Sequence, residues 1–233
     1  MSDALDRVIG VKQLPLFPLP VVLFPNTPLP LHIFEGRYRR MLKDIQITNN
    51  LFGLPFFDAS AQESSIPAIG SIGCVAELRD IQELPDERSN IMTVGVIRFR
   101  LEDYVVTDDP YMVGEVSYFE DEKEDEELLQ PRARVVQDLF MRVARAARKL
   151  AGEPDDLPEL PDVTPEQLSF FIAAAVEFDI KLKLEMLEMR STSERLKRLH
   201  DFLSQAVQSI EERANMTKIA QTNGHGKRNI DFE

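Results

Sequence analysis

Hydrophobic residues change their spacing at a single point in this chain, and that change constrains the fold more than any other feature. From Gln13 to Phe119 they come in short runs broken by proline, glycine and asparagine, the pattern of antiparallel strands joined by turns. Beyond the acidic run EDEKEDEE, Glu120 to Glu127, they recur at the 3.6-residue period of amphipathic helices. The expected fold class is therefore α+β, with an antiparallel β unit carrying one short helix and then a helical bundle.

Each period predicts particular elements. Strands are expected at Gln13 to Phe17, Leu29 to Phe34, Phe52 to Phe57, Ser71 to Ile81, Ile91 to Val106 and Tyr111 to Phe119, with a bulge or break near Gly95. Pro15, Pro18, Pro20, Pro25, Pro28 and Pro30 cannot donate to a ladder, so the first strands should be short or lie at an edge. Between Glu35 and Gln46, by contrast, Tyr38, Met41, Leu42 and Ile45 line one helical face.

After the acidic run, Val135, Val136, Leu139, Phe140, Val143 and Leu150 form a stripe that ends at Gly152, a helix stop. The segment EPDDLPELPDV is too rich in proline for a regular element. Thr164, Pro165 and Gln167 then supply a cap, a first-turn proline and a capping-box partner for another helix. Ser191 and Glu194 repeat that signature ahead of a last helix striped by Leu196, Leu199, Leu203, Val207 and Ile210. The expected organisation is a flexible terminus at 1–11, a β unit at 12–119, an acidic linker at 120–130, a helical unit at 131–214 and a mobile tail at 215–233.

Composition narrows the function classes. With 233 residues, 43% of them hydrophobic, the chain can bury a core. No stretch approaches the roughly 18 uncharged apolar residues of a membrane helix, and no apolar leader follows the first residues. The lone Cys74 can form neither an internal disulfide nor a metal cluster, so a cytoplasmic location is expected. The formal charge is −13, and Glu120 to Glu127 contributes seven acids against one lysine. Such a field repels a phosphate backbone, so no nucleic-acid partner is expected.

A search for chemistry returns ordinary structural residues. His32, His200 and His225 are scattered and match no metal-ligand spacing. There is no nucleophile elbow and no phosphate-binding loop, and GSIG at Gly70 to Gly73 lacks the flanks of either. Cys74, inside a strand, reads as a small apolar filler. The basic clusters, Arg37 to Arg40 and the helix bearing Arg132, Arg134, Arg142, Arg145, Arg148 and Lys149, read as solvated faces compensated by nearby acids; the acidic run reads as a solvated loop. No catalytic residue, cofactor or metal is expected.

Specific motifs add a resemblance. LPLFPLPVVLFPNTPLPLHIFEGRYRRML, Leu14 to Leu42, is similar to the opening of the amino-terminal domains of Lon proteases: a Leu-Pro-Leu strand, a Phe-Pro turn, a second Leu-Pro-Leu strand and a short Arg-bearing helix. IGCVAEL at Ile72 to Leu78 and TVGVIRFRLEDY at Thr93 to Tyr104 resemble the family's later strands, with Gly95 and Arg98 in the matching places. KLKLEMLEMRSTSERLKRLHDFL resembles the Leu-Glu segment and the Arg-Leu helix that close the family's domain, although Lys183 stands where many members carry Gln. The resemblance covers about residues 12–214.

It implies a PUA-like β pseudo-barrel followed by a helical bundle, and a role in recognising unfolded or tagged polypeptides. Within its segments Phe24, His32, Phe34, Arg37, Tyr38 and Arg98 become the expected polypeptide-binding residues. A protein-binding module, acting alone or as an adaptor for an ATP-dependent protease or chaperone, is the leading expectation. No ATPase or Ser-Lys peptidase motif is present, so neither activity is expected. The alternative is a small-molecule binder or enzyme with a pocket in the barrel; RNA binding conflicts with the charge.

Overall fold

A computed structural model describes residues 2–58, 66–152, 154, 156, 157 and 163–223, with 150 and 211–223 as backbone only. Its six strands are β1 (Gln13–Leu16), β2 (Pro28–Ile33), β3 (Leu51–Pro55), β4 (Ile72–Glu83), β5 (Ser89–Val105) and β6 (Met112–Phe119). The helices are α1 (Asp3–Asp6), α2 (Gly36–Gln46), α3 (Glu126–Leu150), α4 (Pro165–Ala175), α5 (Ile180–Glu188) and α6 (Thr192–Asn223).

The sheet runs β2-β5-β4-β3-β1-β6, and a further β5–β6 pairing closes β1, β3, β4, β5 and β6 into a barrel. Pairing is antiparallel apart from β1 with β3, joined in parallel at Leu16 and Gly53. β5 is long enough for two jobs. Its first half pairs with β2 and its second half with β6. The expected irregularity near Gly95 is a register shift between the Cys74 and Ala76 pairs, where Cys74 faces Arg98 and Ala76 faces Gly95. A Cβ on Gly95 would stand 2.1 Å from the Phe24 carbonyl oxygen, so only glycine fits there.

Inside the barrel, Leu14, Leu16, Val75, Phe99 and Leu101 are buried, and Phe99 fills the space that a side chain at Gly73 would need. The lumen is a packed core. Cys74 is fully buried and its thiol is pushed up to about 12 by desolvation, the behaviour of an apolar filler. On the other side of the sheet, α2 buries Tyr38, Met41, Leu42 and Ile45, the expected face, against Phe17, Phe52 and Leu54.

The helical core gathers Leu129, Ala133 and Val136 of α3, Phe170 and Ile172 of α4, Met186 and Leu187 of α5, and Leu196, Leu199 and Leu203 of α6. Phe24 belongs to this core as well, so the β2 approach loop ties the barrel to the helices. The Thr164 capping box forms with Gln167, and Ser191 accepts from the Glu194 N–H ahead of α6. Lys183 donates to the Ala174 carbonyl near the end of α4 at 3.2 Å, a favourable place for a cation.

Four local readings differ from the structure. Residues 1–11 lack periodicity, yet Ser2 caps α1 and Val8 is 3% exposed in the barrel core. The linker is shorter than 120–130, because α3 starts at Glu126 with Asp125 as its cap. Helix α6 continues past Asn215 to Asn223, each added residue gaining a backbone hydrogen bond. The acidic run is also more than a solvated loop: Glu124 accepts from Ser191 and from the Ser193 N–H at the start of α6, and Asp121 is buried. Most of the proline-rich segment 153–163, and residues 224–233, lie outside the described residues.

Candidate functional site

The six expected binding residues separate into an exposed group and a buried one. The exposed group is set by strand alternation. Along β2, Leu29, Leu31 and Ile33 turn toward the core, which puts Pro30 and His32 on the outer face, with Phe34 continuing just past the strand end. Pairing His32 with Asn90 and Pro30 with Met92 brings two β5 residues onto the same face. The result is a ribbon of Pro30, His32, Phe34, Asn90 and Met92, all exposed, with Phe34 at 60% and Met92 at 39%.

Polar contacts hold this ribbon in shape. His32 Nδ1 lies 2.8 Å from Asn90 Oδ1, and the His32 and Phe34 rings stack with centroids 5.9 Å apart. Just beyond, Arg37 donates to Glu35 at 2.9 Å and lies over the Tyr38 ring at 4.5 Å. An apolar ring and an imidazole thus share one surface, and an exposed guanidinium follows in the first turn of α2. Pro28 and Pro30 block N–H donation along β2, which disfavours strand addition and leaves side chains to make the contacts.

Phe24, Tyr38 and Arg98 are in no position to touch a ligand, being 0%, 4% and 1% exposed. Tyr38 packs on Phe17 with ring centroids 4.0 Å apart, and Phe24 faces Phe170 at 6.0 Å. Arg98 donates to the Leu187 carbonyl at 3.0 Å, to the Met189 carbonyl, and to Asp121 Oδ1 at 2.6 Å. Asp121 Oδ2 accepts from Arg195 at 2.5 Å and from Thr192 at 2.5 Å, while Arg195 Nε donates to Ser169 at 2.7 Å. The Arg195 guanidinium also lies 3.7 Å from the Phe170 ring centroid.

These groups fasten β5 to α5 and α6. Burial alone would raise the Asp121 carboxyl, but hydrogen bonds and charge from Arg195, together with Thr192 and Arg98, outweigh it and hold the group below the usual carboxylate range. Sequence reasoning missed Asp121, hidden among seven similar acids, and also Asn90 and Met92. Alternation in SNIMTV marks Asn90 and Met92 as sharing a face; only strand pairing puts His32 beside them.

Two cavities lie elsewhere. A groove of about 450 Å³ runs between α3 and α6, lined by Pro131, Arg132, Val135, Leu196, Lys197 and His200. A second hollow, about 370 Å³, sits beside Asp121 with Glu120, Glu124, Glu126 and Glu166 on its walls. Among the described residues no group of three or more His, Cys, Asp or Glu could hold a metal, and no helix is long and apolar enough to cross a membrane.

Residues 13–205 match the family model of the ATP-dependent protease La (LON) substrate-binding domain. The Lon protease of Brevibacillus choshinensis is 26% identical over 205 residues, covering 87% of this chain and 26% of that protein. That of Amoebophilus asiaticus is 27% identical over 177 residues, covering 75% and 21% respectively. This chain therefore spans a quarter or less of the length that the second relative has, and little more of the first. Among solved structures, the Lon N-terminal domain protein from Xanthomonas campestris superposes with a TM-score of 0.59 at 25% identity, over 81% of this chain and 97% of that one. The N-terminal domain of Mycobacterium avium complex Lon protease gives 0.59 at 16% identity, over 83% and 98%, a likeness of fold.

Proposed function

Because this chain belongs to the family of ATP-dependent protease La (LON) substrate-binding domains, we propose that it is a non-catalytic module that binds exposed apolar segments of unfolded or tagged polypeptides. The observation that carries this reading is the ribbon headed by Phe34, an aromatic side chain 60% exposed and stacked on His32 beside Arg37. Covering a ring of this kind gains about 1.5–3 kcal/mol, and aromatic and arginine side chains dominate binding hot spots. The surface is small and open, so binding is weak and reversible, in the micromolar range. Clients held this way pass to an ATP-dependent protease or chaperone, for which this chain acts as adaptor.

The packed barrel lumen weighs against a small-molecule pocket in the barrel, since Phe99, Leu16 and Leu101 occupy that space. The test is titration of a permanently unfolded, carboxymethylated polypeptide against fluorescently labelled protein. Phe34→Asp should weaken binding by about tenfold, roughly 1.4 kcal/mol, without lowering the melting temperature. Equal binding by the variant and the parent would reject the ribbon, and no binding by either would reject the module.

A further inference from the structure

The groove between α3 and α6 carries a chemistry of its own. Its floor is apolar, built from Val136 and Leu196, and its wall includes Val135, a valine left 48% exposed. Pro131 lies inside α3, where it removes one rung of the helical ladder and presents its ring to the groove. Arg132, Lys197 and His200 complete the lining, and no acid is among the lining residues. His200 Nδ1 lies 3.2 Å from the neighbouring Asp201.

That lining runs against the charge of the whole protein, which has 40 acids to 27 bases. Some exposed cations pair, Arg40 with Asp44 and Arg198 with Glu185, while others, among them Lys43 and Arg134, form no salt bridge among the described residues. Among the described residues neither Arg132 nor Lys197 has an ion pair or a hydrogen bond. Among the described residues, two cations without a side-chain partner thus flank an apolar groove of a volume typical of binding clefts.

We propose that the α3–α6 groove is a second binding site, for an acidic amphipathic helix of a partner protein. Apolar side chains at i, i+4 and i+7 of that helix enter between Val135 and Leu196, and its flanking Asp or Glu residues meet Arg132 and Lys197. Val135, 48% exposed, and the exposed Pro131 ring supply the apolar contact. The cations set the polarity of the partner and exclude basic helices by like-charge repulsion. The site is separate from the Phe34 ribbon, so it gives the chain one surface for a client and another for a fixed partner.

The experiment uses the full chain and two synthetic peptides of about 15 residues, a length at which helix becomes accessible. Both carry leucines at i, i+4 and i+7; one has glutamates on the flanks and the other lysines, and each bears a photo-crosslinker at the central leucine. Anisotropy should show the acidic peptide binding at least about tenfold tighter than the basic one, less so at high salt. Arg132→Glu with Lys197→Glu, both at exposed positions, should reverse that order while the melting temperature stays unchanged. Crosslinks should fall on Val135, Arg132 or Lys197.

Equal binding of the two peptides, or a preference that survives charge reversal, would overturn the proposal. Crosslinks on the ribbon of Pro30, His32 and Phe34 would overturn the groove while leaving the client-binding reading in place. A self-associated chain that the double substitution turns monomeric would replace the foreign helix by a second copy, which also overturns it. Carboxymethylated polypeptide run in parallel reports separately on the ribbon.

Discussion

Arg98 of β5 and Arg195 of α6 share one carboxylate, Asp121, which gives Oδ1 to the first at 2.6 Å and Oδ2 to the second at 2.5 Å. All three side chains are at most 4% exposed. Both guanidiniums bond to this one carboxylate, and their remaining charge faces the Phe119 and Phe170 rings, the Leu187 and Met189 carbonyls and the more distant Glu166.

Removing the carboxylate charge should therefore be costly. Asp121→Asn leaves two buried guanidiniums without the carboxylate they bond to directly, a kind of change that destabilises proteins by about 3–5 kcal/mol. Urea unfolding followed by circular dichroism checks it, and a loss below about 1 kcal/mol would show the cluster to be better hydrated than its burial implies.

The pH dependence of the cluster has two opposing parts. Asp121 is depressed in the folded state, so its stabilisation is present above the unfolded carboxylate value and is lost as pH falls through the folded one. Glu166 is raised by burial and by Asp121, so its ionisation opposes folding as pH rises above the usual glutamate range. Glu166→Gln should then be more stable than the parent at neutral pH, with the difference vanishing near pH 4 and below. Melting temperatures across that range decide the sign.

Phe34 and Tyr38, four residues apart on either side of the α2 start, should behave oppositely under truncation. Tyr38→Ala empties a site 4% exposed against Phe17 and should cost about 3–5 kcal/mol. Phe34→Ala removes a ring 60% exposed and should stay within about 0.5 kcal/mol of the parent. Chemical denaturation of the two variants compares them directly.

Gly95→Ala should be among the most damaging single-methyl additions in the barrel. The new Cβ would lie 2.1 Å from the Phe24 carbonyl oxygen, whose backbone neighbours Asn26 and Thr27 bond to Gly95 in turn. Overpacking costs about 1–3 kcal/mol where side chains can yield, and here the obstacle is backbone. A melting temperature within a degree or two of the parent would show that the loop shifts freely.

Much of this architecture was legible from residue order. All six strands and the amphipathic faces of α2, α3 and α6 follow from periodicity, and the Thr164 and Ser191 caps from short-range hydrogen-bond chemistry. α1 and α5 were missed because a helix of four residues and one of nine carry too few turns for a periodic signal. Of the binding residues expected from the motifs, His32, Phe34 and Arg37 stand at the surface, whereas Phe24, Tyr38 and Arg98 do not.

What the order of residues determined by itself is therefore local: where the chain is strand or helix, which face of each is apolar, and where helices start. These depend on neighbours two to four positions away. Only the tertiary structure decided that Asp121, rather than any other acid of its run, meets Arg195 at a separation of 74 residues, and that His32 lies beside Asn90, 58 residues on. Seven acids in one short run are chemically alike until folding carries one of them out of water. Burial then separates them, because a charge removed from water must find its partner within hydrogen-bonding distance, and sequence spacing holds no record of which partner that is.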